Sequence, residues 1–246
     1  MQRAIPHRLT AVARSAAALL AAIAAPVFAS APGVVISQVY GGNGNTFASD
    51  YVELLNAGAS PVTLAGWSIQ YASAGGVGNF VNGGTALNGT LQPGQYWLVK
   101  LSTASTGAAL PPADFSGSSD LSGTAGKVAL VNQAASLACN GGSTACSADQ
   151  RSHIVDLVGY GTANFAEGSP APAPSRTTAI LRANNGCTDS DDNASDFVAG
   201  TPAPRNSASP VAACSGGTAP PPPPPPPPAP PTAAIWQIQG SGATSP

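Results

Sequence analysis

The chain has 246 residues, of which only 8% are charged, about a third of the share usual for a globular domain. Hydrophobic residues at 43% can build a core, while Gly 28 and Pro 25 favour many short strands and turns over long helices. Lys and Arg number 9 against 11 Asp and Glu, so the basic stripe that displaces phosphate counterions is missing and nucleic-acid binding by this segment is disfavoured.

Arg3, His7, Arg8 and Arg14 make a basic start, and Ser15 to Ala25 is nearly all Ala, Leu and Ile. Pro26 breaks that run, and Val27 and Ala29 stand at the −3 and −1 positions before Ser30. This is the layout of a secretory signal peptide spanning 1–29, with cleavage expected after Ala29. The run is shorter than the roughly 18 apolar residues that a membrane anchor needs. Cleavage removes three arginines, taking Lys and Arg from 9 to 6 against 11 acids, so the exported chain is near −5.

From Val34 onward, short apolar or alternating runs are separated by turn clusters. Val34–Tyr40 is rich in β-branched residues and ends in Gly41-Gly42-Asn43-Gly44-Asn45. In Tyr51–Asn56, Val52 and Leu54 point one way, and Tyr51, Glu53 and Leu55 the other. Trp67, Ile69 and Tyr71 alternate with Ser68 and Gln70. After the turn Gln92-Pro93-Gly94, Trp97, Val99 and Leu101 alternate with Tyr96, Leu98 and Lys100. Val128 with Leu130, Ile154–Tyr160 and Thr178–Leu181 complete seven or eight strands, each with one buried and one exposed face. That pattern predicts an all-β, immunoglobulin-like antiparallel sandwich, with Trp67 and Trp97 as core anchors and no amphipathic helix after residue 29. Ala72–Thr90, Ser102–Ala125 and Asn132–Ser152 read as loops with little buried structure, because Gly, Ser and Ala dominate them.

Four cysteines in an exported chain read as two disulfides, for which three connectivities exist. The spacing favours Cys139–Cys146, which bracket a Gly- and Ser-rich loop, and Cys187–Cys214, which ties the last segment back. Zinc is disfavoured, because no CxxC spacing occurs and His153 is the sole histidine after residue 29. His153 itself reads as a solvated histidine at a strand edge. No nucleophile-elbow, HExxH, Walker or dinucleotide motif occurs, so neither catalytic nor cofactor-binding residues are expected. Asp189, Asp191 and Asn193 alternate as Ca²⁺ ligands can, but Ala194 and Gly200 stand where a calcium loop needs Gly and Glu. That trio is a weak metal candidate beside a reading as loop-forming Asx turns. Asp50 and Glu53, three residues apart on a strand, face opposite sides and read as structural or solvent-facing.

After Cys214, Pro220–Pro228 is unbroken proline, followed by Ala229, Pro230 and Pro231. Such a run favours extended polyproline II, a semi-rigid spacer. Residues 218–234 therefore read as a linker. Ile235-Trp236-Gln237-Ile238 within 235–246 reads as a first strand awaiting partners, disordered together with the linker.

Three ordered segments resemble the lamin-tail domain of bacterial exported proteins. They are Ser49-Asp50-Tyr51-Val52-Glu53-Leu54-Leu55-Asn56, Pro61-Val62-Thr63-Leu64-Ala65-Gly66-Trp67-Ser68-Ile69, and Leu91-Gln92-Pro93-Gly94-Gln95-Tyr96-Trp97-Leu98-Val99. The likeness extends through Val155–Gly161, Ser175-Arg176-Thr177 and Asp189–Pro210, covering about 33–214. In this longer form it resembles the N-terminal module of large secreted endonucleases, which precedes an OB-like segment and a metal-dependent catalytic domain. The resemblance implies a sandwich over 30–217, 235–246 as the opening of the OB-like segment, and a nuclease domain as partner in a longer chain. It implies no nuclease chemistry on these residues. A stand-alone adhesion or carbohydrate-binding module is the alternative.

Overall fold

The structure, a computed structural model, describes residues 33–214. The expected signal peptide with its Ala29 cleavage point, the proline linker and the strand-like 235–238 lie outside the described residues. Turn chemistry sets where the strands reverse. The Asn56 side chain accepts from the Gly58 amide and donates to Ser60 and Leu91 carbonyls, bending the chain after a strand. Gly66 and Gly94, with φ of +81° and +71°, each take the third position of a tight turn. Those turns are closed by Trp67 N–H to Leu64 O and Gln95 N–H to Gln92 O.

Between such turns run β1 (Val34–Tyr40), β2 (Ser49–Asn56), β3 (Val62–Thr63), β4 (Ser68–Ser73), β5 (Val81–Ala86) and β6 (Thr90–Leu91). They are followed by β7 (Tyr96–Thr103), β8 (Phe115–Ser116), β9 (Gly126–Val131), α1 (Ala148–Ser152) and β10 (Ile154–Tyr160). Last come β11 (Ala179–Arg182), a 3₁₀ turn (Asn184–Gly186), α2 (Asn193–Asp196) and β12 (Phe197–Gly200). One sheet has the order β12-β11-β1-β2-β7-β8 and the other β10-β9-β4-β5; β3 and β6 form a small pair. All pairings of named strands are antiparallel except β7 with β8. The result is the expected immunoglobulin-like sandwich.

Alternation puts Ile36, Val52, Leu54, Val99, Leu101, Val128, Leu130 and Val158 into the main core, with Leu64 buried among them. Trp67 and Trp97 are half-buried against it. The opposite faces are not exposed, as simple alternation predicts; every residue of β1, β2, β9 and β10 is buried. Each sheet carries satellite apolar clusters on its outside, under long loops. Outside the four-stranded sheet, Phe80, Ala129, Val131, Leu137, Ile154 and Leu157 pack with Cys139 and Cys146. Outside the six-stranded sheet, Val35, Leu55, Tyr96 and Ala212 pack with Cys187 and Cys214.

The disulfides are Cys139–Cys146 and Cys187–Cys214, as the spacing predicts. Each therefore pins a covering loop over an outer cluster. Lys127 adds a second pin, donating from a buried ammonium to Asn140 O at 2.8 Å and Asn164 Oδ1 at 2.9 Å.

The three predicted loops need correction. Ala72–Thr90 contains β5, and Ser102–Ala125 contains β8 with buried Leu121. Asn132–Ser152 contains buried Leu137 and α1, whose five residues bury none of their own. β12 also lies outside the predicted strands. Val81, Asn82, two glycines, Thr85 and Ala86 of β5 carry no apolar run, and pairing with β4 is what makes them a strand.

Candidate functional site

The most highly charged buried place in the described residues centres on Arg182, the last residue of β11. Its Nη2 donates to both carboxylate oxygens of Asp156 on β10, at 3.0 and 2.9 Å. Nη1 reaches Asp189 at 2.8 Å and Asp196 at 3.4 Å, and Nε donates to Ile36 O at 2.9 Å. The guanidinium lies over the Phe197 ring, 4.5 Å from its centroid. Asp156 in turn accepts from the Ile36 amide. One arginine thus joins β10 of one sheet to β1 and β11 of the other. Burial works against its charge, but Asp156, Asp189, Glu167 and Asp196 outweigh burial and raise its pKa.

Glu167 completes the cluster from the loop after β10. Its carboxyl accepts from the Leu157 amide at 3.1 Å and from Asn193 Nδ2 at 3.2 Å. Asn193 also donates to Leu157 O and accepts from the Gly159 amide. Two side chains, together with the backbone of Ala171, therefore satisfy the outer edge of β10. Burial, with Asp156 nearby, pushes Glu167 up to about 10, so it keeps its proton at neutral pH.

Asp156, Glu167 and Asp189 each place a carboxylate oxygen within 4.8 Å of the others, a spacing a cation could use. Here the positive charge among them comes from Arg182, and the oxygens of Glu167 already hold backbone and amide donors. The predicted alternating trio is split in its partners: Asp189 pairs with Arg182, Asn193 serves β10, and Asp191 is exposed with φ +56°.

Asp50 and Glu53 are both fully buried and have separate roles. Asp50 accepts from the Asn43 amide at 2.9 Å and the Leu121 amide at 2.9 Å, tying two loops at one end of the sandwich. Burial pushes it up to about 7, with neighbouring Asp120 adding to the rise against those amide bonds. Beside it opens a polar cavity of about 250 Å³ lined by Asn43, Asn45, Asp120 and Arg176. Glu53 receives Arg205 Nη2 at 2.7 Å, the Arg205 amide at 2.6 Å and Gln38 Nε2 at 3.0 Å. Arg205 also stacks on Tyr96, 3.8 Å from the ring centroid, and so latches the segment after β12 across β1, β2 and β7. His153 is half-buried, its Nδ1 2.8 Å from Asn132 Oδ1, at the start of β10.

A larger groove of about 990 Å³ lies on the outside of the six-stranded sheet. Gln38 and Leu181 contribute from the sheet, Phe47, Leu110 and Pro111 from two loops, and Pro202 and Pro204 from the segment after β12. Sequence reading missed Arg182, Glu167 and Arg205. The available signal was charge inside apolar runs, Asp156 within Ile154–Tyr160 and Arg182 ending Ala179–Arg182, in a chain with few charges.

The arrangement fastens sheets and covering segments; its acids face arginines and backbone amides. No helix among the described residues is long and apolar enough to cross a membrane. No curated protein matches the chain. A family model, the Lamin Tail Domain, matches residues 28–162, more than half of the sequence. Lamin tail domains are non-catalytic immunoglobulin-like modules, which agrees with buried charges engaged in structural bonds. The match stops before β11 and β12, which nonetheless belong to the six-stranded sheet and carry Arg182. The chain belongs to the lamin tail domain family.

Proposed function

We propose that this chain is a secreted, non-catalytic accessory module, the N-terminal part of an extracellular endonuclease, serving domain organisation or attachment to a surface or substrate. The observation that carries the reading is how the buried ionisable groups are used. Asp156, Asp189 and Asp196 hold Arg182, Glu53 holds Arg205, and Glu167 holds the β10 edge. An acid engaged in this way is poorly placed to bind substrate or take its proton. Two disulfides support export into an oxidising compartment, in keeping with a signal peptide cleaved after Ala29. The proline-rich 218–234 then serves as a spacer towards a following domain.

The test is the coding sequence after the Pro246 codon, read together with glycan-array binding of the purified chain. Continuation into a nuclease domain supports the accessory role. A stop codon at that point, with specific glycan binding, overturns it in favour of a stand-alone adhesion module.

A further inference from the structure

Two cavities meet at Asp120, which lines both. The polar one beside Asp50, about 250 Å³, is also lined by Asn43, Asn45, Ser122, Thr124 and Arg176. The second, about 320 Å³, lies against β4 and β5, where Tyr71, Ala72, Val81 and Gly83 form its wall. Tyr71 links the two, since its hydroxyl accepts from the Ser122 amide at 3.2 Å. Val81, 56% exposed, offers an apolar side chain to solvent there.

We propose that this double cavity is a binding site for a neutral saccharide of about two rings. The charges of the polar half point to a neutral ligand. Asp120 gives Oδ1 to Asn43 Nδ2 at 3.0 Å and, as a carboxylate, keeps lone pairs for further donors. Arg176 is exposed, and its guanidinium has no hydrogen bond or ion pair among the described residues. An anion entering here meets Asp120, and a cation meets Arg176. A hydroxyl suits both, because it donates to the acid and accepts from the guanidinium. Asn45, Ser122 and Thr124 add neutral donors and acceptors, more than a single amine and carboxylate would use.

The other half supplies what a sugar needs besides hydroxyl partners. A pyranose presents an apolar C–H face, and the ring of Tyr71 with Val81 gives it an apolar wall. Together the cavities reach the range of roughly 300–1,000 Å³ found for small-ligand sites. The polar loops are also held in place by the fold itself. Fully buried Asp50 fixes the Asn43 and Leu121 amides, and Tyr40 OH fixes the Arg176 carbonyl at 3.0 Å. A Cβ on Gly41 would collide with the Ser122 carbonyl and one on Gly42 with the Arg176 carbonyl, so the three loops meet backbone to backbone. Loops held in this way need little ordering when a ligand binds.

This site deepens, and rests on, the attachment role in the proposed function, to which it gives a ligand class. Amide NMR titration of the chain from residue 30 onward tests it, with cellobiose, maltose, lactose and chitobiose as separate probes. At least one should shift Asn45, Ser122, Gly123 and Val81 saturably, leaving Leu137 and Ala212 on the outer faces unmoved. Asp120→Ala and Arg176→Ala, both exposed positions, should each weaken that binding about tenfold or more while the Val128 and Leu130 signals stay in place. Amides unmoved by all four sugars overturn the proposal, as do variants that bind as well as the parent chain. Tighter binding of leucine, sulfate or Ca²⁺ at the same amides also overturns it, because the site then serves a zwitterion or an ion. Such a failure leaves the accessory role standing, since the coding sequence after Pro246 tests that separately.

Discussion

Arg182 concentrates more of the fold's electrostatics than any other described residue, and its role is positional. It donates to four chain segments at once: β1, β10, the Thr188–Asp189 loop and α2. Truncating it leaves Asp156 and Asp196 buried without their counter-charge, which typically costs about 3–5 kcal/mol. Arg182→Ala should therefore lower the urea midpoint severely, whereas Arg182→Met with Asp156→Leu should recover part of the loss; equal midpoints for Arg182→Ala and wild type would remove the clasp from the account. Glu167 and Asp50 make a separate prediction about pH. Both have folded-state pKa values raised above the ordinary 4.5 and 3.8, to about 10 and about 7. The folded protein thus binds more protons than the unfolded chain across those windows, and stability falls as pH rises. Asp50→Asn should flatten the fall between about pH 4 and 7, and Glu167→Gln the fall from about 5 to 10, when thermal midpoints are followed against pH.

At the scale of elements, the sandwich strands were legible where β-branched and aromatic residues alternate, as in Val34–Tyr40, Tyr51–Asn56 and Ile154–Tyr160. What alternation could not reveal is that their outer faces are covered too. Tyr51, Glu53 and Leu55 look like an outward face until Arg205 and Ala212 fold over them, from about 150 residues further along. Nor could local sequence show β5 and β12, which exist through pairing with β4 and β11 rather than through apolar content of their own. The clasp escaped for the same reason, since its members meet only after both sheets have formed. The covering segments depend on their pins. Reducing Cys187–Cys214 by a Cys187→Ser, Cys214→Ser double change should cost about 3–4 kcal/mol by chain entropy over its loop. The loss should be accompanied by faster hydrogen exchange at Leu55 and Tyr96 but not at Val128 or Leu130. Uniform acceleration across both sheets would show that the outer cover and the main core unfold as one unit.

For the described residues as a whole, the picture is a sandwich with loops packed over the outside of both sheets, with charge placed where segments must be fastened. Two disulfides, Lys127 and the Arg205 clasp hold the outer layers, while the Arg182 clasp joins the two sheets. The most direct test is turnover: the chain from residue 30 onward, purified in its oxidised form, is incubated with DNA and RNA in the presence of Mg²⁺, Mn²⁺, Ca²⁺ or Zn²⁺. No cleavage should follow the folded protein through purification. Metal-dependent cleavage that co-elutes with it, and disappears in Asp156→Asn or Glu167→Gln proteins that still fold, would contradict it.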